Sequence, residues 1–326
     1  MSRLSLIWIL AWCLFTTNSG IVNSAMAQDW DDWDDEESSY EPSRKGVEFA
    51  INFGVYQANH QASSAFYNGY AGDIYDLGDN TATLMTIEER LGIYSSNGTV
   101  WSQVLNSIGL EQGEFLYIEY PIYSELLKLY GVRYTPGTIM GLQTMVFFNP
   151  ESALTLHLDV MNGLKSQGGW NMVTNEIVQG AGSENRREFG IFSEEDRFQF
   201  SLGYRTAAYV TDEVSWVFEL GGNMLATQLK QNYVRIQNSN YQLLAAPMGN
   251  GQFTNPTSSL TSTGFGGYGA VGVELFFEEG GNLMLTARVS RDHVRLGTYE
   301  DHLWQGALYL TWVVPPQFPK FTRVSF

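Results

Sequence analysis

The segment LWQGALYLTWVV, residues 303–314, decides the fold of this chain. Its apolar residues alternate with small or polar ones, which is the period of a β-strand whose faces meet two environments. Trp304 and Trp312 lie on one side of such a strand, with Leu308 and Leu310 between them. Eight residues of strand span about 26 Å, or about 20 Å of height when tilted by about 40°. Because the apolar band of a membrane barrel is roughly 25 Å tall, the segment predicts a membrane-spanning strand with tryptophan at both interfaces.

The same alternation recurs seven more times and predicts an all-β, antiparallel transmembrane barrel of eight strands. A soluble β-sandwich also alternates, but its outer face carries many Lys and Glu residues, whereas the second face here is mostly Gly, Ser, Thr, Asn and Gln. In one strand the apolar set includes Trp216, which we assign with Trp304 and Trp312 to an aromatic girdle. The seven other alternating segments are 47–55, 134–148, 152–160, 197–210, 214–223, 267–277 and 282–292.

Composition supports a barrel that contacts lipid. Charged residues are 16% of the chain, aromatic residues 14%, and there are 33 glycines. A soluble enzyme usually carries nearer a quarter charged residues. The mean hydropathy of -0.16 excludes a bundle of several membrane helices, which would be far more apolar.

The connections between predicted strands differ in length at the two rims. Turns at about 149–151, 212–213 and 278–281 are short, whereas those at about 58–130, 165–195 and 235–261 are long, and the last outer loop, about 297–301, is brief. Bacterial outer-membrane barrels have short periplasmic turns and long extracellular loops. An even number of strands then places both termini in the periplasm, with 315–326 as a C-terminal tail.

The N-terminus predicts export. Arg3, the apolar run Leu6–Phe15 and the small residues of Ala25–Ala27 form a signal peptide over 1–27, which contains the single cysteine, Cys13. The mature chain then has 35 acidic against 17 basic residues, which argues against nucleic acid or an anionic lipid surface as the main partner. An acidic tail over 28–46 follows, either a solvated segment or a docking segment anchored by Trp30 and Trp33.

This pattern resembles the small eight-stranded outer-membrane β-barrel proteins of Gram-negative bacteria, of the OmpA-transmembrane and OmpX type. The resemblance covers 47–314 as a pattern of alternating strands with an aromatic-flanked lipid face, preceded by the signal peptide. No short motif identifies a subfamily. Two features depart from the family: Phe326 lies twelve residues beyond Val314, and the first outer loop is far longer. The resemblance implies outer-membrane lipid as the surroundings of the barrel.

Inward positions of the predicted barrel carry ions of both signs. Eight strands enclose a lumen that side chains can largely fill, and an unpaired buried charge is costly. We therefore expect a crossed carboxylate–guanidinium network in which Glu219, Arg205 and Arg288 share one depth and close the barrel; the alternative is a narrow proton or ion path. The predicted lumen network is Glu48, His157, Asp159, Arg197, Arg205, Glu219, Glu274 and Arg288.

Some barrels of this size are lipid-modifying enzymes, and the best candidate site is Ser290, Asp292 and His293, with His302 across a short loop. Alternation places His293 on the face opposite Ser290, so a nucleophile and its base are separated. The remaining histidines are too isolated for a metal site. We expect no catalytic site, no metal and no cofactor.

The long first loop, 58–130, holds its own structural signals. Thr86–Glu89 is a capping-box pattern that predicts a helix start, and Leu91-Gly92 predicts its end. The apolar spacing over 100–108 predicts a second short helix, and 115–123 predicts a strand that extends the barrel. The loop is then a folded cap, a surface that binds a ligand or protein partner, or a plug inserted into the lumen.

From the sequence, the leading hypothesis is a membrane scaffold or binding module that acts through its loops and acidic tail, within an envelope or secretion assembly. A small pore with a charged lumen is the second hypothesis and a lipid-modifying enzyme the third.

Overall fold

A computed structural model describes residues 46–70, 73–76, 81–94, 98–121, 131–175, 184–247, 253–254, 260–277, 281–296 and 299–314. These residues belong to one compact unit, 41–326. The predicted signal peptide, the tail with Trp30 and Trp33, and the segment 315–326 lie outside the described residues, except that Gly46 already begins the first strand. Within the described residues, no helix is long and apolar enough to cross a membrane.

Eight long strands form a closed antiparallel barrel, as predicted. Each strand pairs with its neighbours along the chain, and β1 pairs with both β2 and β8, for example Phe53 with Leu310, which closes the ring. The strands are β1 Gly46–Gln57, β2 Gly137–Asn149, β3 Ser152–Thr174, β4 Asn185–Thr211, β5 Val214–Ile236, β6 Leu260–Phe277, β7 Gly281–Leu296 and β8 Tyr299–Val313.

Over about half of the barrel's height, on all eight strands, the apolar side chains point outward and the polar ones inward. Phe49 is 61% exposed and Leu202 48%, while their inward neighbours Asn52 and Ser201 are almost fully buried. A protein in water would bury its apolar side chains. The exposed band and the polar interior are those of a transmembrane β-barrel, and the fold class predicted from the sequence is confirmed.

We call the end of the barrel with the short connections at 150–151 and 212–213 the turn end, and the opposite end the loop end. The predicted long loop at 165–195 is wrong, because β3 continues to Thr174 and pairs with β4 from Asn185 onward. The predicted loop at about 235–261 agrees with the connection from Ile236 of β5 to Leu260 of β6, and within it a hairpin strand, Ser239–Gln242, folds back on β5. The last loop is shorter than predicted, because β8 already begins at Tyr299.

These strand extensions escaped prediction because their polarity is reversed. Beyond the apolar band, the inward residues become apolar, as with Trp170 and Ile191, while the outward ones become polar, as with Lys165 and Glu194. In this upper part a strand has water outside the barrel and apolar side chains inside it. In the membrane part it has lipid outside and a polar lumen inside, so the alternation of polar and apolar residues is opposite in the two parts.

The segment between β1 and β2 folds into a cap at the loop end. Thr86 and Glu89 form the predicted capping box, and Gly92 ends that helix with φ of 68°. The helices are α1 His60–Phe66, α2 Ile87–Leu91 and α3 Thr99–Ile108. Two short strands, Phe115–Glu119 and Val132–Tyr134, pair with β3. Asp73–Asp76 and Thr81–Leu84 pair with each other. Leu244–Pro247 pairs with Thr81–Leu84 and with Phe253–Thr254.

The main apolar core lies between this cap and the loop end of the barrel. Phe66 of α1, Leu91 of α2 and Leu105 of α3 are buried in one cluster with Trp170 of β3 and Leu229 of β5. The described part of the first loop therefore packs as a layer over the barrel mouth.

Candidate functional site

The lumen is filled by layers of paired polar side chains. Nearest the turn end, the Arg205 guanidinium donates to the Glu274 carboxylate, and Asn282 Nδ2 donates to the same carboxylate at 3.2 Å. Arg205 also lies over the ring of Phe147, 5.7 Å from its centroid. Both ions are almost fully buried and out of reach of bulk water, so each charge is neutralised by the other.

The second layer is centred on Glu219. Its Oε1 atom lies 2.7 Å from His157 Nε2 and accepts hydrogen bonds from Thr155 Oγ1 at 2.8 Å and from the Tyr268 hydroxyl. Three side chains from β3 and β6 thus converge on one buried carboxylate oxygen of β5, and this joins the three strands across the lumen.

Beside that layer, Arg288 crosses the lumen. Its guanidinium donates to Ser201 Oγ at 2.6 Å and lies 3.5 Å from Asp159 Oδ2. Its Cζ atom lies 3.7 Å from the centre of the Tyr268 ring, which is a cation–π contact inside the lumen. Tyr309 also donates to Asp159, at 3.4 Å.

Toward the loop end, Asp292 is held by neutral donors. Asn223 donates to it at 2.6 Å, Ser290 at 2.7 Å and Gln305 at 2.8 Å. Because Gln305 Oε1 also accepts from Arg197, the amide of Gln305 connects this carboxylate to the next layer.

The uppermost layer joins the barrel to the cap. Arg197 Nε donates to Glu195 at 2.6 Å, and its other nitrogens donate to the hydroxyls of Tyr56 and Tyr134 at 3.0 and 3.2 Å. Tyr67, which follows α1, donates its hydroxyl to Glu195. The cap is therefore bonded directly to a buried ion pair of the lumen.

The structure places seven of the eight predicted lumen ions in these layers, while Glu48 is half-buried at the turn end. The pairs differ from the expected crossed network: Glu219 contacts His157 and not an arginine, and Arg205 contacts Glu274. Glu195 was missed because it fell in a segment predicted as loop. Asp292 was considered only as a catalytic residue, although its inward position was read correctly.

A small crevice, with room for about one water molecule, lies between the layers, beside Glu219 and Arg288. It is lined by Gln143 and Thr286, whose buried polar atoms have no hydrogen-bond partner among the described side chains. A buried polar group without a protein partner needs water, so this part of the lumen is polar enough to be hydrated.

The catalytic candidate does not assemble. Ser290 and Asp292 are buried inside the barrel, whereas His293 and His302 lie on the outer face as cross-strand partners, with ring centroids 4.8 Å apart. The serine thus has a carboxylate as neighbour and neither of these histidines as a base.

The three predicted girdle tryptophans all point outward. Trp304 is 52% exposed near the loop end of β8, Trp312 is 37% exposed near its turn end, and Trp216 is 47% exposed near the turn end of β5. Leu308 and Leu310 are each half exposed between the two tryptophans of β8.

The cap presents a cluster of tyrosines. The rings of Tyr70 and Tyr120 meet edge to face, 5.0 Å apart, and Tyr70 is 65% exposed. Burial, followed by the neighbouring Glu88, raises the pKa of the Tyr120 hydroxyl, and Tyr94, which is 78% exposed, adds a smaller contribution. We call Tyr70, Tyr94 and Tyr120 the tyrosine cluster.

Next to it, the strand Phe115–Glu119 pairs with β3, and no strand of the described residues pairs with its other edge. Its Leu116 and Tyr117 are each more than 40% exposed. Arg186 donates three hydrogen bonds at 3.0 Å to Glu119, two from Nε and one from Nη2, and thereby lowers the pKa of that carboxyl group.

The closed eight-strand ring, the apolar outer band and the charged lumen define a small transmembrane barrel of the outer-membrane type. No protein-family model matches the chain, and no curated protein matches it by sequence. Among solved structures, the chain is similar to Ail, the attachment invasion locus protein of Yersinia pestis, with 10% identity over 83% of this chain and 99% of Ail, at a TM-score of 0.28. Ail in complex with the heparin analogue sucrose octasulfate gives 9% identity, the same coverage and a TM-score of 0.30. The outer-membrane protein OprG of Pseudomonas aeruginosa gives 8% identity over 83% of this chain and 94% of OprG, at a TM-score of 0.31. The fold assignment rests on the strand pairing of the chain itself.

Proposed function

We propose that this protein is a bacterial outer-membrane barrel that conducts no solute and that binds a protein partner through its cap. The observation that carries the proposal is the combination of a lumen filled by paired charges with a cap bonded to its uppermost pair, Glu195 and Arg197. A barrel closed in this way is a rigid base, and residues on ordered loops above a rigid base are the usual place for recognition.

The orientation follows from the two ends. The turn end carries the short connections together with the start of β1 and the end of β8. Short turns on the periplasmic side are the rule for bacterial barrels, so we infer that the cap faces outward from the cell and that both termini are periplasmic. The acidic segment 28–46 then extends into the periplasm, where Trp30 and Trp33 are available to a second partner.

The tyrosine cluster and the open strand Phe115–Glu119 are the surface we assign to the partner. Aromatic side chains are enriched where proteins bind each other, because a ring buries much area at a small cost in entropy. The strand adds free backbone groups that an extended segment of a partner can pair with.

A photo-crosslinking amino acid in place of Tyr94 tests this surface on intact cells. We expect a discrete adduct from position 94, and none from the matched control position Gln237, which is also exposed at the loop end but lies on the turn after β5. Equal adducts from both positions, or none from position 94, would contradict the assignment.

A second candidate function is a narrow ion or proton path, which the crevice beside Glu219 favours. Conductance of the purified protein in planar bilayers separates the two functions. We expect no steady openings from the wild type, and openings in Arg205→Ala, which removes the plug nearest the turn end. Steady, salt-scaled openings of the wild type would overturn the closed-lumen proposal.

A further inference from the structure

Arg291 of β7 and Trp304 of β8 form an outward-facing pair at the upper edge of the apolar band. They are cross-strand partners, both exposed, and the Arg291 Cζ atom lies 5.9 Å from the centre of the indole. One position below them on the same face are Val289, which is 52% exposed, and Gly306. The guanidinium is thus placed where hydrocarbon gives way to polar headgroups, with a tryptophan of the interfacial type beside it.

Above this pair the outer face is rich in cationic and titratable groups. His293 and His302 are partners in the next outward row, and Arg295 faces Glu300 in the row after that. Glu300 is 62% exposed, and its nearest oxygen is 3.9 Å from His293 Nε2. Rows on one face of a strand are about 7 Å apart, so Glu300 is far from Arg291.

Arg291 differs from an outward cation just above the apolar band on β5, two strands away. Lys230 of β5, just above the apolar band, is neutralised by Asp196 at 2.6 Å and also donates to Asn162 at 3.1 Å. Arg291 makes no ion pair within the part of the chain that the structure describes, and on β6 its partner is Gly267, which has no side chain to cover it. A guanidinium held against an indole and open on its other side is available to an external anion.

We propose that Arg291, with His293 and His302 above it, binds the phosphate of an anionic membrane lipid. The planar guanidinium donates two parallel hydrogen bonds to phosphate oxygens, and the imidazoles supply further donors one row higher. The acyl chains of the same lipid lie against Val289 and the leucines of β8, which already face hydrocarbon. The site does not depend on the proposed protein partner.

Native mass spectrometry of the full-length protein in detergent micelles tests the site with two added lipids, phosphatidylglycerol and phosphatidylcholine. We expect the wild type to retain phosphatidylglycerol in preference to phosphatidylcholine. Arg291→Gln lowers the affinity for phosphatidylglycerol about tenfold, as expected for the loss of a bidentate charged contact, and leaves retention of phosphatidylcholine unchanged.

The matched control is Lys230→Gln, which also removes one outward cation near the membrane surface but leaves the wild-type preference intact. Resistance of the folded barrel to heat in gel loading buffer shows that each variant is folded. The double variant His293→Gln with His302→Gln should lose affinity for phosphatidylglycerol too, but less than Arg291→Gln does. Equal retention by the wild type and Arg291→Gln, or equal loss in Lys230→Gln, would overturn the site. Displacement of the lipid by millimolar inorganic phosphate alone would overturn a lipid as its occupant.

Discussion

Replacing Arg197 with methionine tests the layer that joins the cap to the lumen. Methionine fills a similar volume but donates no hydrogen bond. Glu195 would keep the hydroxyls of Tyr67 and Tyr134 as donors and lose its cationic partner at 2.6 Å, which is its only one among the residues that the structure describes. The change therefore leaves a fully buried carboxylate without a counter-charge.

The size of the effect follows from that burial. Both Glu195 and Arg197 are about 1% exposed. Breaking such a pair by removing one member costs about 3–5 kcal/mol, whereas replacing both members with neutral groups is often close to neutral. Because two donors to Glu195 remain, we expect about 3 kcal/mol for Arg197→Met. The double variant with Glu195→Gln should lose only about 1 kcal/mol.

The assay is reversible urea unfolding in lipid vesicles, followed by tryptophan fluorescence, with the two single variants and the double variant forming a cycle. Arg235→Met is the matched control, since Arg235 is an exposed arginine whose removal should cost less than about 0.5 kcal/mol. Additive losses, or a loss below about 1 kcal/mol for Arg197→Met, would refute the idea that Glu195 depends on Arg197.

Three further outcomes follow from other parts of the structure. Leu308→Arg places a charge midway between the girdle tryptophans and should cost about 2–4 kcal/mol in the same unfolding assay, and a negligible loss would mean that the side chain does not face hydrocarbon. Gly54→Ala puts a Cβ atom 2.0 Å from the backbone oxygen of Leu308, so β1 and β8 must part and the yield of closed, heat-resistant barrel should fall, whereas an unchanged yield would contradict the close approach. Burial, with a smaller contribution from Arg133, lowers the pKa of His60, whose Nδ1 accepts from the Tyr134 amide at 3.1 Å. The folded cap therefore takes up this proton less readily than the unfolded chain and loses stability as pH falls through about 6.5. The protection factor of that amide, which is the intrinsic exchange rate at each pH divided by the observed rate, should therefore fall in acid in the wild type but not in His60→Gln.

The transmembrane part of the fold was predictable because lipid and lumen impose opposite polarities on alternate residues. The alternate apolar residues from Val47 to Val55 and from Leu308 to Trp312 face outward, as the alternation indicates. The capping box at Thr86 was equally local, since its two hydrogen bonds lie within four residues. Both kinds of signal are contained in short stretches of sequence.

The lumen pairs and the loop end were less accessible, because they depend on the register between strands. Alternation shows that Arg205 and Glu219 point inward, but they sit opposite each other on β4 and β5 and still bond to different partners across the lumen. The helix α1 has no capping box and only seven residues, and its place is fixed by contacts such as those of Ser63 and Ser64 with the Val132 carbonyl.

The reversal of polarity along β4 determines which amino-acid substitutions the strand tolerates at each position. Around Phe200 a hydrophobic substitution is acceptable on the outer face and harmful on the inner one, whereas around Ile191 the preference is inverted. A saturation scan of this strand would show two alternating patterns that are out of phase, with the break near Asp196. The position of that break would mark the membrane surface in living cells without any structural measurement.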